Sequence, residues 1–203
     1  MTIDTPRGPI AVRGFCQPEL IRGFRFDSQF RSYAQYKSIL TKRATLEDLA
    51  AVDGNNVVLA LTADHTIIGF GVLGHPEEDM RWARLGRGVM MEVKVIEVGR
   101  DWRKYKISDA IMQMLLLHPR IEQMIVYMVG YMWTWDLDGT GLTAQQYRNI
   151  LIRIFSAHGF QQYQTNEPNL CLKPENLFMG RVGSQVSEET RKAFKWLCYG
   201  INP

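Results

Sequence analysis

Four cationic residues lie within seven positions of the sequence, between a predicted strand and a predicted helix. They are Arg100, Arg103, Lys104 and Lys106. The first amides of a helix lack intrahelical acceptors, and the helix dipole adds partial positive charge at the same end. A loop that leads into a helix and carries added cations therefore favours a phosphate-bearing ligand. A solvated basic turn is the alternative interpretation of the same residues.

A second segment has carboxylates at a spacing that metals can use. Asp136-x-Asp138-x-Thr140-Gly141 imitates the first half of a calcium-binding EF-hand loop. The bidentate glutamate that ends such a loop is replaced by Tyr147. The histidines and cysteines also lack metal-ligand spacing. We therefore expect no metal.

The elements on either side of the basic loop follow from the hydrophobic pattern. Residues 89–98 are rich in β-branched side chains and predict a strand. Residues 108–118 predict a helix with one apolar stripe. A further strand at 124–129 completes a βαβ-like unit, whose two strands would be parallel.

The rest of the chain alternates between helical and strand patterns without a repeat or a linker, so we expect a single domain over residues 1–203. The other predicted elements are an edge strand at 8–15, helices at 28–42 and 46–52, a hairpin of 57–61 and 67–73, a capped helix from Thr143 to Gly159, strands at 160–164 and 177–182, and a final helix capped by Ser187.

Composition excludes several classes of protein. With 203 residues, 46% hydrophobic and 22% charged, the chain is typical of an ordered globular protein. Its three cysteines are far apart and odd in number, which favours a reducing cytoplasm over a disulfide framework. No apolar run approaches the roughly 20 residues of a membrane span, and the N-terminus lacks a signal-peptide pattern. A net charge of +3 is too small to indicate a nucleic-acid partner.

The strand, basic loop and helix resemble the coenzyme-binding element of the GNAT superfamily of acetyl-CoA-dependent acyltransferases. In that family a loop of the pattern Arg/Gln-x-x-Gly-x-Gly/Ala holds the coenzyme A pyrophosphate with its backbone amides. Here Arg103 takes the first position, while Lys106 and Ser108 take the glycine-type positions. Glycine allows close approach to phosphate and unusual dihedral angles. A lysine in a helical conformation, with its ammonium group, would compensate for part of this.

A tryptophan-rich segment resembles one branch of the superfamily more closely. Residues 133–142, WTWDLDGTGL, followed by Tyr147 and Arg148, are similar to the WxWDLxGTGL…YR stretch of the acetoin-utilisation branch. The resemblance covers most of residues 56–183. We expect Trp133, Trp135 and Asp136 to shape a turn after the strand at 124–129. A place on the acceptor side of a substrate cleft is the alternative for these three residues.

The resemblance implies an α/β layered fold. Its central mixed sheet would be mostly antiparallel, with a parallel splayed strand pair and helices on both faces. It also implies acetyl-CoA as acyl donor, with no metal. The residues expected to bind the coenzyme are Ile96, Val98, Arg103, Lys104, Tyr105, Lys106, Ile107 and Ser108.

The resemblance further implies direct attack of an amine on the thioester, which needs a base. Glu92 lies eleven residues before the arginine of the loop, the spacing at which many members carry their base, so we expect Glu92 to act. Glu97 is the other candidate. An ion pair between Glu92 and Lys94, without catalysis, is the alternative.

The tyrosine that protonates the leaving thiolate in many members is replaced here by Phe155. Tyr127, Tyr131 and Tyr147 are substitutes, or else core aromatics. Because a thiol has a pKa of about 8.5, its thiolate leaves tolerably without an acid.

These features predict an N-acetyltransferase that transfers the acetyl group of acetyl-CoA to a lysine amine. Resemblance to the acetoin-utilisation branch suggests a protein acceptor such as an acyl-CoA synthetase. The alternative is a catalytically degenerate protein of the GNAT fold that binds coenzyme A or regulates a partner. Lys106, Ser108 and Phe155 motivate that alternative. The sequence leaves the oligomeric state open.

Overall fold

The structure is a computed structural model that describes residues 1–32 and 42–202. Its strands are Thr2–Thr5 (β1), Gly8–Arg13 (β2), Arg25–Phe26 (β3), Asn56–Leu61 (β4), Thr66–Gly74 (β5), Met90–Val98 (β6), Ile125–Gly130 (β7), Gln161–Gln162 (β8) and Leu177–Val182 (β9). Its α-helices are Pro18–Arg22 (α1), Gln29–Ser32 (α2), Arg43–Ala51 (α3), Ile107–Leu115 (α4), Leu137–Thr140 (α5), Ala144–Ser156 (α6), Pro168–Cys171 (α7) and Glu188–Cys198 (α8).

The strands form a mixed sheet in the order β1-β2-β4-β5-β6-β7-β9-β8, with β3 beside β5. β6 pairs with β7 in parallel, and so does β3 with β5. The pairs β1/β2, β2/β4, β4/β5, β7/β9 and β8/β9 are antiparallel. The predicted mixed, mostly antiparallel sheet with a parallel pair is therefore confirmed.

The parallel pair is joined over only part of its length. The ladder connects Met90–Glu92 to Ile125–Tyr127, although β6 continues to Val98 and β7 to Gly130. This short ladder is what a splayed pair requires, because the later part of β6 takes no partner from β7.

Contacts divide the chain into two compact units, and β6 contributes to both. Unit 1 contains Met1–Gly74 and Lys94–His118. Unit 2 contains His75–Val93 and the chain from Pro119 onward. The organisation as a single domain stays a prediction.

In unit 1 the β4–β5 hairpin is buried on both faces, as the nearly continuous apolar runs predict. On one face Val57 and Leu59 pack in a cluster with Ile21 of α1 and Leu46 of α3. α4 covers the other face. A Cβ at Gly71 would collide with Ile111, so this glycine allows α4 to approach the sheet closely.

In unit 2 the core lies between β6, β7, β9 and α8. Ile125, Tyr127 and Phe178 pack with Phe194 of α8. Trp82 stacks on Phe178 with ring centroids 4.5 Å apart. The capping box that begins α6 at Thr143 and the serine cap of α8 are present as predicted.

Two predictions about the N-terminal part are wrong. The strand predicted at 8–15 is not an edge strand, because β1 pairs along its outer side. The residues TIDT of β1 have too few apolar side chains to show a strand pattern. Between the strand predicted at 8–15 and the helix predicted at 28–42 no element was expected, but α1 lies there and has Pro18 in its first turn.

The helix predicted at 28–42 is described only at its start, where α2 lies, since residues 33–41 are outside the described part of the chain. None of the helices in the described ranges is long and apolar enough to cross a membrane.

Candidate active site

The basic loop between β6 and α4, in unit 1, begins with a short 3₁₀ turn that is anchored by side chains from far earlier in the sequence. The turn is Arg100–Trp102. The indole Nε1 of Trp102 donates to the Asp27 carboxylate over 3.2 Å, and the amide of Asp101 donates to Gln29 Oε1 over 3.1 Å. These bonds fix the start of the loop before its cationic residues.

The second half of the loop has an unusual backbone conformation. Lys104 has φ +77°, and Lys106 has φ +58° and ψ +23°, which is left-handed. Lys106 is the N-cap of α4, and its carbonyl accepts the first helical hydrogen bond from Ala110 over 3.1 Å. Lys106 therefore does not have the helical conformation under which a lysine would compensate for the missing glycine. Glycine adopts this left-handed conformation without steric cost, whereas at this position a lysine adopts it.

The amides of this segment are available to a ligand. Within the described chain, the main-chain N–H groups of residues 104–108 donate to no acceptor. Positive φ angles at Lys104 and Lys106, on either side of Tyr105, are typical of a nest, in which successive amides can bind an anion. The side chains of Lys104 and Lys106 are exposed, and Arg103 Nε donates to the Val98 carbonyl over 3.4 Å. The arrangement suits a phosphate group at the start of α4.

One cation of this region was missed by the sequence analysis. Arg7, in the turn between β1 and β2, places its guanidinium carbon 5.0 Å from the Trp102 ring centroid. Nothing in the sequence links a residue at position 7 with a loop more than ninety positions later. Only the fold brings this fifth positive charge to the loop.

Unit 2 holds the predicted base. Glu92 and Tyr127 are directly opposite each other across the β6/β7 ladder. Tyr127 is only 1% exposed. Its hydroxyl donates a hydrogen bond to the Glu92 carboxylate. Burial, then the Glu92 charge and this hydrogen bond, raises the pKa of Tyr127. Tyr127 therefore keeps its proton and acts as a hydrogen-bond donor that orients and stabilises the Glu92 carboxylate.

Further carboxylates act on the tyrosines near Glu92. The charge of Glu77 adds to the raised pKa of Tyr127. Burial, then the charges of Glu167 and Glu92, raises the pKa of Tyr131. This part of unit 2 is therefore both aromatic and negatively charged.

The other predicted strand residues lie in the later part of β6, in unit 1. Val98 is buried, while Ile96 and Glu97 are half-buried. The carbonyl of Glu97 faces β5, 3.0 Å from the position that a Cβ on Gly69 would occupy. The structure thus groups Ile96, Val98 and the loop residues in unit 1 and Glu92 in unit 2. The binding and catalytic roles of all of them stay predictions.

The tryptophan-rich segment divides into structural and exposed residues. The buried carboxylate of Asp136 accepts from the Gly139 amide over 2.9 Å and caps α5. Trp135 stacks on Tyr147 with ring centroids 5.2 Å apart. These residues build the predicted turn, and the EF-hand-like pattern is a helix cap. Trp133, in contrast, is 59% exposed.

The remaining acid candidates are tied to packing. Phe155 is buried and contacts Phe160 edge to face. Tyr147 is stacked on Trp135, and Tyr127 is engaged by Glu92. Across residues 1–32 and 42–202, no group of three His, Cys, Asp or Glu side chains is placed to hold a metal ion.

The chain is similar to known proteins in both sequence and structure. No family model matches the chain. The acetoin utilization protein AcuA of Bacillus subtilis (strain 168) is 26% identical over 192 residues, which are 95% of this chain and 90% of that protein. The crystal structure of an acetoin utilization protein from Exiguobacterium sibiricum superposes with a TM-score of 0.90 at 24% identity, covering 98% of this chain and 93% of the other.

A more distant structure has the same fold. It is a GNAT superfamily phosphinothricin acetyltransferase from Sinorhizobium meliloti in complex with AcCoA. Its TM-score is 0.54 at 14% identity, and the match covers 86% of this chain and 89% of the other. The short parallel ladder of β6 and β7 agrees with these likenesses. The chain is similar in sequence to the acetoin utilization proteins AcuA, and its fold is that of the GNAT superfamily of acetyltransferases.

Proposed function

We propose that this protein transfers the acetyl group of acetyl-CoA to a lysine amine of another protein. The observation that carries the proposal is the loop before α4, where exposed lysines accompany unpaired amides in a GNAT fold. The acetyl-CoA complex of the Sinorhizobium meliloti acetyltransferase supports this donor.

The loop would bind the pyrophosphate of the coenzyme. The amides of residues 104–108 would donate to the phosphate oxygens, and the ammonium groups of Lys104 and Lys106 would neutralise their charge. Main-chain N–H groups at Ile96 or Val98 would stabilise the negative charge on the thioester carbonyl oxygen during attack.

Glu92 would act as the general base. It accepts a proton from the incoming ammonium, and the free amine attacks the thioester carbonyl. The carbon–nitrogen bond forms and the carbon–sulfur bond breaks without a covalent enzyme intermediate. Coenzyme A leaves as a thiolate, which takes up the second proton lost by the amine nitrogen and becomes the thiol. The Tyr127 hydroxyl would hold Glu92 in position throughout, because its raised pKa keeps it protonated.

The acceptor rests on the resemblance to the acetoin-utilisation branch, which suggests an acyl-CoA synthetase. The test is to incubate the protein with isotope-labelled acetyl-CoA and a purified acyl-CoA synthetase, and to locate the label by peptide mass spectrometry. We expect label on a lysine side chain. A synthetase whose lysines have been reductively dimethylated is the matched control and should remain unlabelled.

Two other results would change the proposal. Label in other proteins of a cytosolic extract, with none on the synthetase, would reject this acceptor and keep the acetyltransferase. Tight binding of acetyl-CoA without transfer to any protein would favour the alternative of a regulatory protein that binds coenzyme A.

A further inference from the structure

Trp133 is a large aromatic side chain that is held at the surface of unit 2. It lies in the 3₁₀ turn Met132–Thr134 and is 59% exposed. Its ring stacks on the half-buried ring of Tyr131, with centroids 4.6 Å apart and planes 11° apart. One face of the indole is therefore supported by Tyr131, and much of the rest of the side chain is open to solvent.

The turn that carries Trp133 is fixed by hydrogen bonds. The buried Asn176 side chain accepts from the Met132 amide over 2.8 Å. The Thr134 hydroxyl donates to the Tyr131 carbonyl over 2.7 Å. A side chain that is already ordered in the free protein loses little entropy when it binds a ligand, so this indole is preorganised as a binding surface.

The surroundings of this aromatic pair are acidic. The charges of Glu92 and Glu167 both act on Tyr131, and Glu77 acts on the neighbouring Tyr127. Glu167 is itself held in place, because one of its oxygens accepts from the Leu170 amide over 2.8 Å. A lysine side chain has a cationic group on an apolar stem. An aromatic face near several carboxylates complements both parts.

We propose that Trp133, supported by Tyr131, is a specificity-determining residue that receives the aliphatic stem and ammonium group of the acceptor lysine. This inference rests on the proposed function and names how its acceptor is recognised. The carboxylates of Glu92 and Glu167, whose charges act on Tyr131, would repel an acceptor that carries a carboxylate beside its amine, so free amino acids should be poor α-amine acceptors.

The test is steady-state kinetics of Trp133→Ala with two acceptors, an acyl-CoA synthetase and Nα-acetyl-lysine amide. We expect KM for the acceptor to rise about 5- to 30-fold, the range of a cation–π contact. kcat should change less than about twofold and the Kd of acetyl-CoA should not change, because Trp133 would contact only the acceptor. Trp133→Phe should restore most of the loss, since it keeps an aromatic face.

The matched control is Trp196→Ala on α8, where the tryptophan is 52% exposed, and it should behave as wild type. If the wild-type protein is active and Trp133→Ala and Trp196→Ala have equal KM values for the acceptor, the inference is overturned. A fall in kcat at saturating acceptor that Trp133→Phe does not restore would overturn it too, because that pattern indicates a structural role. Absence of transfer by wild type to either acceptor would instead contradict the proposed function.

Discussion

At the scale of single residues, the account depends on a carboxylate whose charge is supported by a buried donor. Glu92 is half-buried, and its partner Tyr127 is packed among Trp82 and Phe178. A buried tyrosine with a raised pKa cannot take the proton from an ammonium group, but it can hold a carboxylate that does. In the proposed mechanism Glu92 therefore takes the proton, and Tyr127 orients Glu92.

Replacing this base should affect turnover and leave binding intact. Glu92→Gln keeps the shape of the side chain and removes its ability to accept a proton. We expect kcat to fall by about 10²- to 10⁴-fold at neutral pH, with the Kd of acetyl-CoA nearly unchanged. Glu97→Gln, on the same strand, is the comparison and should keep most of the activity. A large loss of kcat in Glu97→Gln, with little loss in Glu92→Gln, would instead identify Glu97 as the base.

A second residue-scale prediction concerns the left-handed lysine of the loop. Lys106 has a φ of +58°. In an L-residue this left-handed conformation costs about 1–2 kcal/mol, because the Cβ lies too close to the following carbonyl oxygen. Lys106→Gly should therefore be more stable to urea than Lys106→Ala by roughly that amount, although both lose the same charge. Both variants should bind acetyl-CoA more weakly than wild type, because one cation is gone. Equal stability of the two variants would mean that the residue is not left-handed.

At the scale of elements, the position of α4 decides where its N-terminus and the loop lie. α4 packs on β4 and β5 of unit 1. Gly69 and Gly71 leave room for it, since a Cβ on either would meet Ile111. The proposed anion site therefore depends on two glycines in a strand as well as on the residues of the loop.

Filling this space should lower stability. Gly71→Ala places a methyl group against Ile111, and against Leu115 at 3.1 Å, so we expect a loss of about 1–3 kcal/mol in the free energy of unfolding. Gly23→Ala is the matched control. Its φ is −75° and its nearest heavy atom would be 3.5 Å away, so it should be neutral or slightly stabilising. Urea denaturation of both variants measures the difference, and a stable Gly71→Ala would show that α4 lies farther from the sheet.

Much of the secondary structure could be predicted from the sequence. The apolar stripe of α4, the β-branched run of β6 and the capping box at Thr143 are local signals, and each produced the predicted element. The turn around Asp136 was also predicted, and in the structure the Asp136 side chain caps α5.

The rest depends on packing that has no local signal. A lysine does not indicate a positive φ, so Lys106 gave no sign of its left-handed backbone. The bond from Trp102 to Asp27 and the approach of Arg7 join residues that are far apart in sequence. Trp133 and Trp135 are the same residue type two positions apart, and only the fold leaves Trp133 exposed and Trp135 half-buried.

At the scale of the whole molecule, the chain consists of two compact units that share one strand. Unit 1 carries the end of β6 and the loop proposed to bind an anion, and unit 2 carries the beginning of β6 with Glu92. Each unit has its own cluster of buried apolar residues.

The central claim is that this protein binds acetyl-CoA through the loop before α4. Calorimetric titration of wild-type protein with acetyl-CoA tests it most directly, with the double variant Lys104→Ala/Lys106→Ala as comparison. We predict saturable binding at one site per chain, with a Kd well below 1 mM, and at least tenfold weaker binding by the variant, which corresponds to about 1.4 kcal/mol. A wild-type Kd weaker than about 1 mM, or equal affinity of the two proteins, would contradict the account.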